Sequence, residues 1–327
     1  MSLTSHIDDR HSPVRRFFDE HFPSLKAVQA DYRMSAPELT VPLCSANPGT
    51  VGTAYDWRAR LIVDPNPDFS LPLSGVLLVN RPDLAALLTT LLGQCGINVQ
   101  HNSPNGPQLE KDRWSKFIQN EESVSRLAWA LAIYSEVFRS GMIFPGSPLT
   151  RLGKRPTPED LMGLAPNDAC ADLAALVAAT RETLIPLLEQ RAPIVAGPTF
   201  AGSEIVGGAD ADIIACGLLV EMKTTAGDKR DDGSRRCSLG KDVLYQLLGY
   251  VLLDWNDTYG LDSIALYAAR FNYLRQWNIE SLIVELGSAC SSLNELREKF
   301  QHRLMAELPS PADLRMQAAL AWLGRDE

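Results

Sequence analysis

Apolar residues recur at helical spacing through much of the chain up to about residue 195. Gly141 follows one such stretch and supplies a typical helix stop, and Thr157 before Pro158 is typical of a helix start. A kink is expected at Pro186, because proline cannot donate the backbone hydrogen bond that a helix interior needs. Helices are predicted at residues 81–93, 114–141 and 168–190.

The pattern changes from about residue 199, where short runs rich in apolar and β-branched residues begin. Cys216-Gly217 separates two of these runs and is predicted to form the turn of a β-hairpin. Strands are predicted at residues 199–203, 206–215, 218–225, 263–271 and 274–279. Helices are predicted at residues 241–255 and within 278–302.

This order of elements predicts an α/β (α+β) fold. From residue 114 it runs helix, inserted helix, three strands, helix, strand and helix, which favours layers of helices around a small mixed sheet. Residues 1–110 are interpreted as a helical and loop region packed on a core at 111–310, with a helical insertion at about 145–195 and a helical tail at 311–327. The polar stretch 101–112 holds two prolines and is the best candidate for a linker or a surface loop.

Composition narrows the class of protein. The formal net charge of −9 disfavours a protein coated in nucleic acid, although a local basic groove remains compatible with it. The six cysteines form no CxxC pair and the five histidines avoid the middle of the chain, which disfavours zinc sites and histidine triads. With no signal-peptide pattern and no long apolar stretch, a cytoplasmic protein without membrane association is expected.

Candidate chemistry is concentrated in residues 207–225. If Cys216-Gly217 is a two-residue turn, Asp212 lies opposite Glu221 and Asp210 lies opposite Lys223. Side chains alternate between the faces of a strand, so these four residues are predicted to share one face of the hairpin. Directly opposed Cβ atoms are about 5 Å apart in a hairpin.

Two opposed carboxylates repel each other, and a divalent cation between them would remove that repulsion. Hard oxygen ligands suit Mg²⁺ or Mn²⁺. Lys223 points the same way as Glu221 and could orient or deprotonate a water, or stabilise charge on a phosphate. The alternative is a solvent-facing strand with alternating charges, because a Glu-x-Lys pattern is common.

Two helices supply further candidates. Gln246 is a polar residue in a helix that is apolar nearly all round, and Tyr250 lies one turn later on the same face. Gln246 is therefore either at the edge of the site, which supplies partners for its amide, or in the core with its amide hydrogen-bonded there. Glu136 is the only charged residue in the run 127–138. It is expected either to face a metal or Lys223, or to reach solvent or pair with Arg139.

Together these residues resemble the PD-(D/E)xK phosphodiesterase superfamily, and in particular its RecB/Cas4-like exonuclease branch. The family's second-strand aspartate corresponds to Asp212, with Asp210 as the alternative, and its (D/E)xK motif to residues 221–223. The branch's QxxxY helix corresponds to Gln246 and Tyr250, and the acidic residue of its first helix to Glu136.

The resemblance implies a restriction-endonuclease-like αβββαβ core and hydrolysis of nucleic-acid phosphodiesters. It further implies that Asp212, Glu221 and the Met222 carbonyl hold Mg²⁺ or Mn²⁺, with Asp210 and Glu136 as further metal candidates. Lys223 would position the nucleophile, helped by Gln246 and Tyr250. DNA is the expected partner, in a setting such as phage defence or DNA repair.

Basic residues follow the Glu-x-Lys strand directly. A second basic segment occupies residues 151–155. The residues expected to contact phosphates are Lys229, Arg230, Arg235, Arg236 and Lys241. Interspersed aspartates leave a plain solvated loop as the alternative. Residues 55–58 are interpreted either as a substrate-facing element or as a packing corner.

Two other functions remain open from the sequence. One is a non-catalytic module of the same fold that binds nucleic acid or protein, and the other is a phosphodiesterase acting on a small nucleotide. A homo-oligomer or a partner protein is compatible with either.

Overall fold

The structure is a computed structural model in which residues 2–64, 67–99, 108–290, 292–310 and 313 are described. Most of the linker predicted at 101–112 lies outside these residues, as does all of the predicted tail at 311–327 except Asp313. No helix in the described ranges is long and apolar enough to cross a membrane.

The N-terminal part of the chain is helical. Ser12 and Asn47 each accept hydrogen bonds from backbone N–H groups in the first turn of the helix that follows them, and a proline occupies the first turn of both helices. Strands β1 (Ile97–Asn98) and β2 (Gln108–Leu109) pair antiparallel. The helices are α1 (Leu3–Asp8), α2 (Pro13–His21), α3 (Leu25–Ser35), α4 (Pro48–Val63), α5 (Ser70–Leu78) and α6 (Pro82–Gln94), the last matching the helix predicted at 81–93.

The prediction of a single helix at residues 114–141 is wrong, because two helices occupy this region. They are α7 (Lys111–Ile118) and α8 (Glu121–Ser140). Asn120 has an extended backbone, and its side chain accepts a hydrogen bond from the Ser123 N–H, so it begins a new helix. The predicted stop is confirmed, since Gly141 adopts a left-handed conformation with φ of 68°.

The insertion predicted at about 145–195 is helical. It contains a short 3₁₀ helix (Pro148–Arg151) and the helices α9 (Pro158–Met162), α10 (Asn167–Thr183) and α11 (Ile185–Glu189). Thr157 begins α9 in a capping box with Asp160, as predicted. The helix predicted at 168–190 divides at Leu184, close to the kink expected at Pro186, and Pro186 lies in the first turn of α11.

The central sheet has five strands in the order β3-β4-β5-β8-β9. The β5–β8 pair is parallel and the other three pairs are antiparallel, so the sheet is mixed and the predicted α/β class is confirmed at that level. A separate small hairpin joins β6 (Asp228–Lys229) to β7 (Arg235–Arg236). The sheet strands are β3 (Ile194–Ala196), β4 (Ile213–Ala215), β5 (Leu218–Lys223), β8 (Ser263–Ala268) and β9 (Tyr273–Asn278).

The first predicted strand is in the wrong place. Residues 201–207 form turns, and the strand lies earlier, at Ile194–Ala196. The predicted strand 206–215 is shortened to its last three residues. The Ser203 hydroxyl explains this locally, because it accepts from the Phe200 N–H and donates to the Ala209 carbonyl, which satisfies backbone groups that a sheet would otherwise pair.

The C-terminal helices complete the fold. The helix predicted at 241–255 is α12 (Lys241–Leu253), and the region 278–302 contains α13 (Ile279–Glu285) and the beginning of α14 (Leu293–Glu307). Gly287, with φ of 80°, lies just beyond the end of α13.

Apolar side chains on both faces of the sheet are buried. Ile213, Val220 and Ala265 face one cluster, which includes buried residues of α4, α8 and α10. Ile214 and Leu219 face a second cluster with residues of α1, α2, α12 and α14. The sheet therefore lies between two helical layers, and the carboxyl end of β5 opens into a gap that both layers border.

Candidate active site

A cleft of about 830 Å³ lies at the carboxyl end of β5. Residues from both helical layers line it, including α1, α4, α8 and α12. The predicted residues Asp212, Glu221, Lys223, Gln246 and Tyr250 all line this cleft. The tertiary structure therefore brings together the residues that the hairpin and the QxxxY pattern singled out.

The hairpin turn has the predicted register. Ala215 pairs with Leu218 and Ile213 with Val220, around a turn in which Cys216 and Gly217 have φ of 41° and 79°. Positive φ at both positions is typical of the two-residue turns that match strand twist. This register places Asp212 next to the end of the ladder, across from Glu221.

Asp212 is held in place by backbone contacts. Its Oδ2 accepts a hydrogen bond of 2.6 Å from the Met222 N–H, and its own carbonyl accepts one of 2.9 Å from the Gly197 N–H. Met222 thus contributes its main chain to the cleft, while its side chain belongs to the hydrophobic cluster on the other face of the sheet.

The predicted pairing of Asp210 with Lys223 is wrong. Asp210 instead forms an isolated bridge with Thr199, beyond the end of the β4–β5 ladder. Its exposed carboxylate lies 3.4 Å from the Arg60 guanidinium. Gly207 and Gly208, with φ of 74° and 124°, turn the chain before Asp210, so strand alternation does not extend to it. Asp210 lines the cleft, at its exposed rim.

Four side chains form a continuous hydrogen-bonded chain. Lys223 Nζ donates to Glu221 Oε1 at 2.7 Å and to Gln246 Oε1 at 3.0 Å. Gln246 Nε2 donates to the Tyr250 hydroxyl at 2.6 Å. The amide of Gln246 is therefore satisfied by the site itself, and one helix turn separates it from the tyrosine that fixes its orientation.

Both carboxyl groups are held in an unfavourable environment. Burial raises the pKa of Asp212 well above its usual range, and repulsion from Glu221 and Asp56 adds to the effect. Burial also raises the pKa of Glu221, although Lys223 opposes that shift. Burial disfavours the charged form of Lys223, yet attraction to Glu221 and Asp212 prevails and raises its pKa. Lys223 is therefore a protonated donor in this arrangement.

The second oxygen of Glu221 has no hydrogen-bond partner among the described residues. Glu221 is 3% exposed, and this oxygen, Oε2, is itself buried. A buried carboxylate oxygen without a partner is costly, and such groups call for an explanation such as an ion or a water.

Glu136 is not brought to the cleft. It lies on α8, where its Oε1 accepts a hydrogen bond of 2.5 Å from the Thr50 hydroxyl, and it is not among the residues that line the cleft. A residue of α4, Asp56, lines the cleft instead. Asp56 acts electrostatically on Asp212, Glu221 and Lys223.

The segment 55–58 combines side chains that pack in the core with a charged side chain that lines the cleft. Trp57 donates to Ser135 at 2.9 Å and the Tyr55 hydroxyl bonds to Thr180 at 2.7 Å, so these rings are packing elements. Asp56 carries the charge that faces the cleft, and Arg60 pairs with it at 2.9 Å. An Asp and an Arg four residues apart in a largely apolar helix were a signal that sequence reasoning missed.

The predicted phosphate-binding residues lie outside the cleft lining. Lys229 and Arg230 are exposed on the β6–β7 hairpin, which begins three residues after Thr225 at the cleft edge. Arg235 donates to the Gly227 carbonyl at 3.2 Å, and the backbone of Arg236 bridges to Glu38. Lys241 pairs with Asp19 at 2.5 Å, and its ammonium lies 5.1 Å from the Tyr245 ring centroid. The arginines that line the cleft are Arg60 and Arg139.

The oxygen ligands suit a hard divalent cation. Within the described ranges no group of three or more His, Cys, Asp or Glu residues is placed to hold a metal. Mg²⁺, however, keeps several waters and is commonly bound through one or two carboxylates. Asp212 and Glu221 provide two carboxylates in the cleft, and Oε2 of Glu221 has no hydrogen-bond partner among the described residues.

Comparisons of the chain with protein-family models, with curated proteins and with solved structures find no match. The chemistry of the cleft is therefore inferred from the residues that line it. Those residues are the buried carboxylate of Glu221, the half-buried carboxylate of Asp212, a third carboxylate on α4, and a lysine that donates to an amide oriented by a phenol.

Proposed function

We propose that the protein is a Mg²⁺- or Mn²⁺-dependent nuclease that hydrolyses phosphodiester bonds, with DNA as its substrate. The observation that carries this proposal is the cluster of Asp212, Glu221 and Lys223 at the end of one hairpin, inside a cleft. A divalent cation at this position would account for two features at once, the second carboxylate beside the Lys223–Glu221 salt bridge and the unpartnered oxygen on Glu221.

The donor set fits the cation that this function requires. Asp212, Glu221 and the Met222 carbonyl are the oxygen ligands that would hold it, and Asp56 of α4 lines the same cleft. A bound divalent cation supplies positive charge for the phosphate and lowers the pKa of water. It would also offset the burial and the repulsion from Glu221 that together raise the pKa of Asp212.

The protein's own groups would orient the reactants. Lys223, as a protonated donor, places positive charge where the phosphate gains negative charge during attack by water. Gln246 accepts from Lys223, and Tyr250 in turn fixes Gln246. Lys223 is thereby held in one position before substrate arrives, which is what electrostatic stabilisation of a transition state requires.

The order of the core elements supports the same proposal. Helix α8, strands β3, β4 and β5, helix α12 and strand β8 follow one another as the restriction-endonuclease-like αβββαβ core does, interrupted by the helical insertion and by the β6–β7 hairpin. We extend the proposal to that fold. Its acidic helix residue would then be Asp56 of α4, since Glu136 of α8 lies outside the cleft.

The test is a cleavage assay on purified protein. Single-stranded and duplex DNA and RNA would be incubated with Mg²⁺, with Mn²⁺ or with EDTA, and the products resolved by length. We expect DNA cleavage that requires the cation and falls by at least about a hundredfold in Lys223→Ala, since removal of one donor to a developing oxyanion costs about that much.

The matched control is Lys154→Ala, an exposed lysine that does not line the cleft. It should cleave like the unaltered protein. Cleavage that survives Lys223→Ala would reject the proposed mechanism, and cleavage of RNA alone would reject DNA as the substrate. Binding of nucleic acid without cleavage under any condition would favour a non-catalytic module.

A further inference from the structure

The cleft has one wall formed by the N-terminal helix. Ser2, Leu3, Thr4 and Ser5 line it. The Leu3 N–H donates to the Gly208 carbonyl at 3.0 Å, and the Leu3 side chain lies over Gly249 of α12. A Cβ at position 249 would lie 2.9 Å from Leu3 Cδ2, so the missing side chain is what lets α1 dock so closely. This wall is therefore packed onto the helix that carries Gln246.

Helices α5 and α8 also border the cleft. Leu71 and Phe138 line the cleft there. A Cβ at Gly75 of α5 would lie 2.6 Å from the Phe138 nitrogen, so the backbones of the two helices approach closely at this point. Close packing fixes the Phe138 main chain, yet the residue as a whole remains 40% exposed. A large apolar side chain held at the mouth of a polar cleft is suited to contact a ligand.

The walls limit what can reach the carboxylates. Glu221 is 3% exposed, so a reacting phosphate must enter the cleft to approach it. The volume of about 830 Å³ is that of a site for a small molecule or a few nucleotides. A double helix is bulkier than a cleft of this size, since its major groove alone is wide enough to admit an α-helix. A single strand can bend its backbone inward.

Phe138 and its neighbour offer the two contacts that a single strand uses. Aromatic rings accept stacked bases of any sequence, and cationic side chains hold the backbone. Arg139 follows Phe138 in the chain, lines the same cleft, and donates to the Thr53 hydroxyl at 3.1 Å. Phe138 and Arg139 therefore both border the cleft, at the end of α8.

We propose that the cleft takes single-stranded nucleic acid, with a base stacked on Phe138 and the adjoining phosphate held by Arg139. This inference rests on the proposed nuclease function and specifies its substrate class. Base-paired segments would have to separate before their phosphates reached Glu221. Specificity for sequence is not expected, because stacking does not distinguish bases strongly.

The test is a binding measurement with Ca²⁺ in place of Mg²⁺. Fluorescence anisotropy would compare a short labelled single-stranded DNA with the duplex of the same sequence. We expect the single strand to bind at least about tenfold more tightly, and Phe138→Ala to weaken its binding about fivefold or more, the effect of removing one stacked base. Phe138→Tyr keeps the ring and should bind like the unaltered protein.

Phe144→Ala is the control, because Phe144 is 53% exposed in the loop after α8 and does not line the cleft. It should leave binding unchanged. Equal affinity for single strand and duplex would overturn the inference, as would equal effects of Phe138→Ala and Phe144→Ala. Melting temperatures of all variants would identify any that fail to fold, in which case Phe138→Tyr and the single-strand to duplex ratio decide.

Cleavage measured in parallel separates this inference from the nuclease proposal. Mg²⁺-dependent cleavage of intact duplex that requires Lys223 but not Phe138 would retain the nuclease and reject the single-strand cleft. Phe138-dependent binding of single strands without any cleavage would reject the nuclease and retain the binding cleft.

Discussion

Lys223 Nζ lies 2.7 Å from Glu221 Oε1, although both side chains leave the same strand only two residues apart. The side chain of Glu221 is 4% exposed and that of Lys223 is 27% exposed, so the contact extends from the interior to the cleft. The pair uses only one carboxylate oxygen and leaves Glu221 Oε2 without a partner. Because Lys223 bonds to one oxygen of the Glu221 carboxylate, the other oxygen remains available to the proposed cation.

Tyr250→Phe should lower kcat about tenfold with little change in KM. The substitution leaves the Gln246 Nε2 donor without its partner, so Gln246 would orient Lys223 less well. An interaction needed for the transition state alone affects kcat more than KM. Steady-state cleavage kinetics would measure both constants.

Tyr259→Phe is the control for that variant. It also removes a tyrosine hydroxyl hydrogen bond, of 2.9 Å to the Thr199 carbonyl, but Tyr259 does not line the cleft. Its kcat should be unchanged. Equal kcat values for the two variants would show that Tyr250 has only a structural role.

Asp212→Asn should stabilise the protein in EDTA. The pKa values of Asp212 and Glu221 are raised in the folded state, so the folded protein binds their protons more tightly than the unfolded chain does. Their contribution to stability is fully present below the ordinary carboxyl pKa of about 4 and is lost as the pH rises through the folded-state pKa. Asparagine removes the charge and can still accept from the Met222 N–H.

Thermal melts between about pH 5 and about pH 8 would measure this effect. Near neutral pH in EDTA, the variant should melt about 2 °C or more above the unaltered protein. Mg²⁺ should raise the melting temperature of the unaltered protein and have little effect on the variant, because binding to the folded state alone stabilises it. A variant that melts lower at every pH would contradict the predicted repulsion.

Asp56→Asn should increase the Mg²⁺ concentration needed for half-maximal cleavage, by about tenfold or more. Asp56 lines the cleft and acts electrostatically on Asp212 and Glu221. Glu136→Gln is the matched variant, since Glu136 bonds to Thr50 outside the cleft lining. Cleavage titrations with Mg²⁺ would compare them. A stronger effect at Glu136 would restore it as the acidic helix residue.

Arg270→Met should destabilise the fold by about 3–5 kcal/mol, which is the usual cost of leaving one member of a buried ion pair without its partner. Arg270 is 1% exposed, makes two hydrogen bonds to Asp172 of the insertion, and donates to the Thr224 carbonyl at the end of β5. The double variant Arg270→Met with Asp172→Leu should recover part of that stability. Urea unfolding would give the free energies, and the absence of any recovery would indicate that the contact with Thr224 dominates.

Lys229→Ala with Arg230→Ala should reduce the salt dependence of DNA affinity. Both side chains are exposed on the β6–β7 hairpin. Each lost phosphate contact makes the slope of log K against log salt shallower by about 1, so the double variant should be shallower by about 2. Lys241→Ala should leave the slope unchanged and lower the melting temperature, because Lys241 pairs with Asp19 and lies over Tyr245. Anisotropy titrations at several salt concentrations would show whether the hairpin contacts DNA at all.

Local contacts made the hairpin predictable. A turn at Cys216-Gly217 and strand alternation are short-range properties, so the register and the opposition of Asp212 and Glu221 followed from the chain alone. The same reasoning failed one step further on. Asp210 leaves the ladder because Gly207 and Gly208 and the bridge to Thr199 redirect the backbone there.

Long-range packing decided the rest. Asp56 enters the cleft from a helix far earlier in the chain, and Glu136 is directed to Thr50, because α4 packs between α8 and the sheet edge. Nothing in a local pattern specifies which helix borders the end of β5. The sequence by itself determined the strand that carries Glu221 and Lys223 and the helix that carries Gln246 and Tyr250. Tertiary packing decided which further charges meet them, since burial and opposition arise only when distant elements share a core.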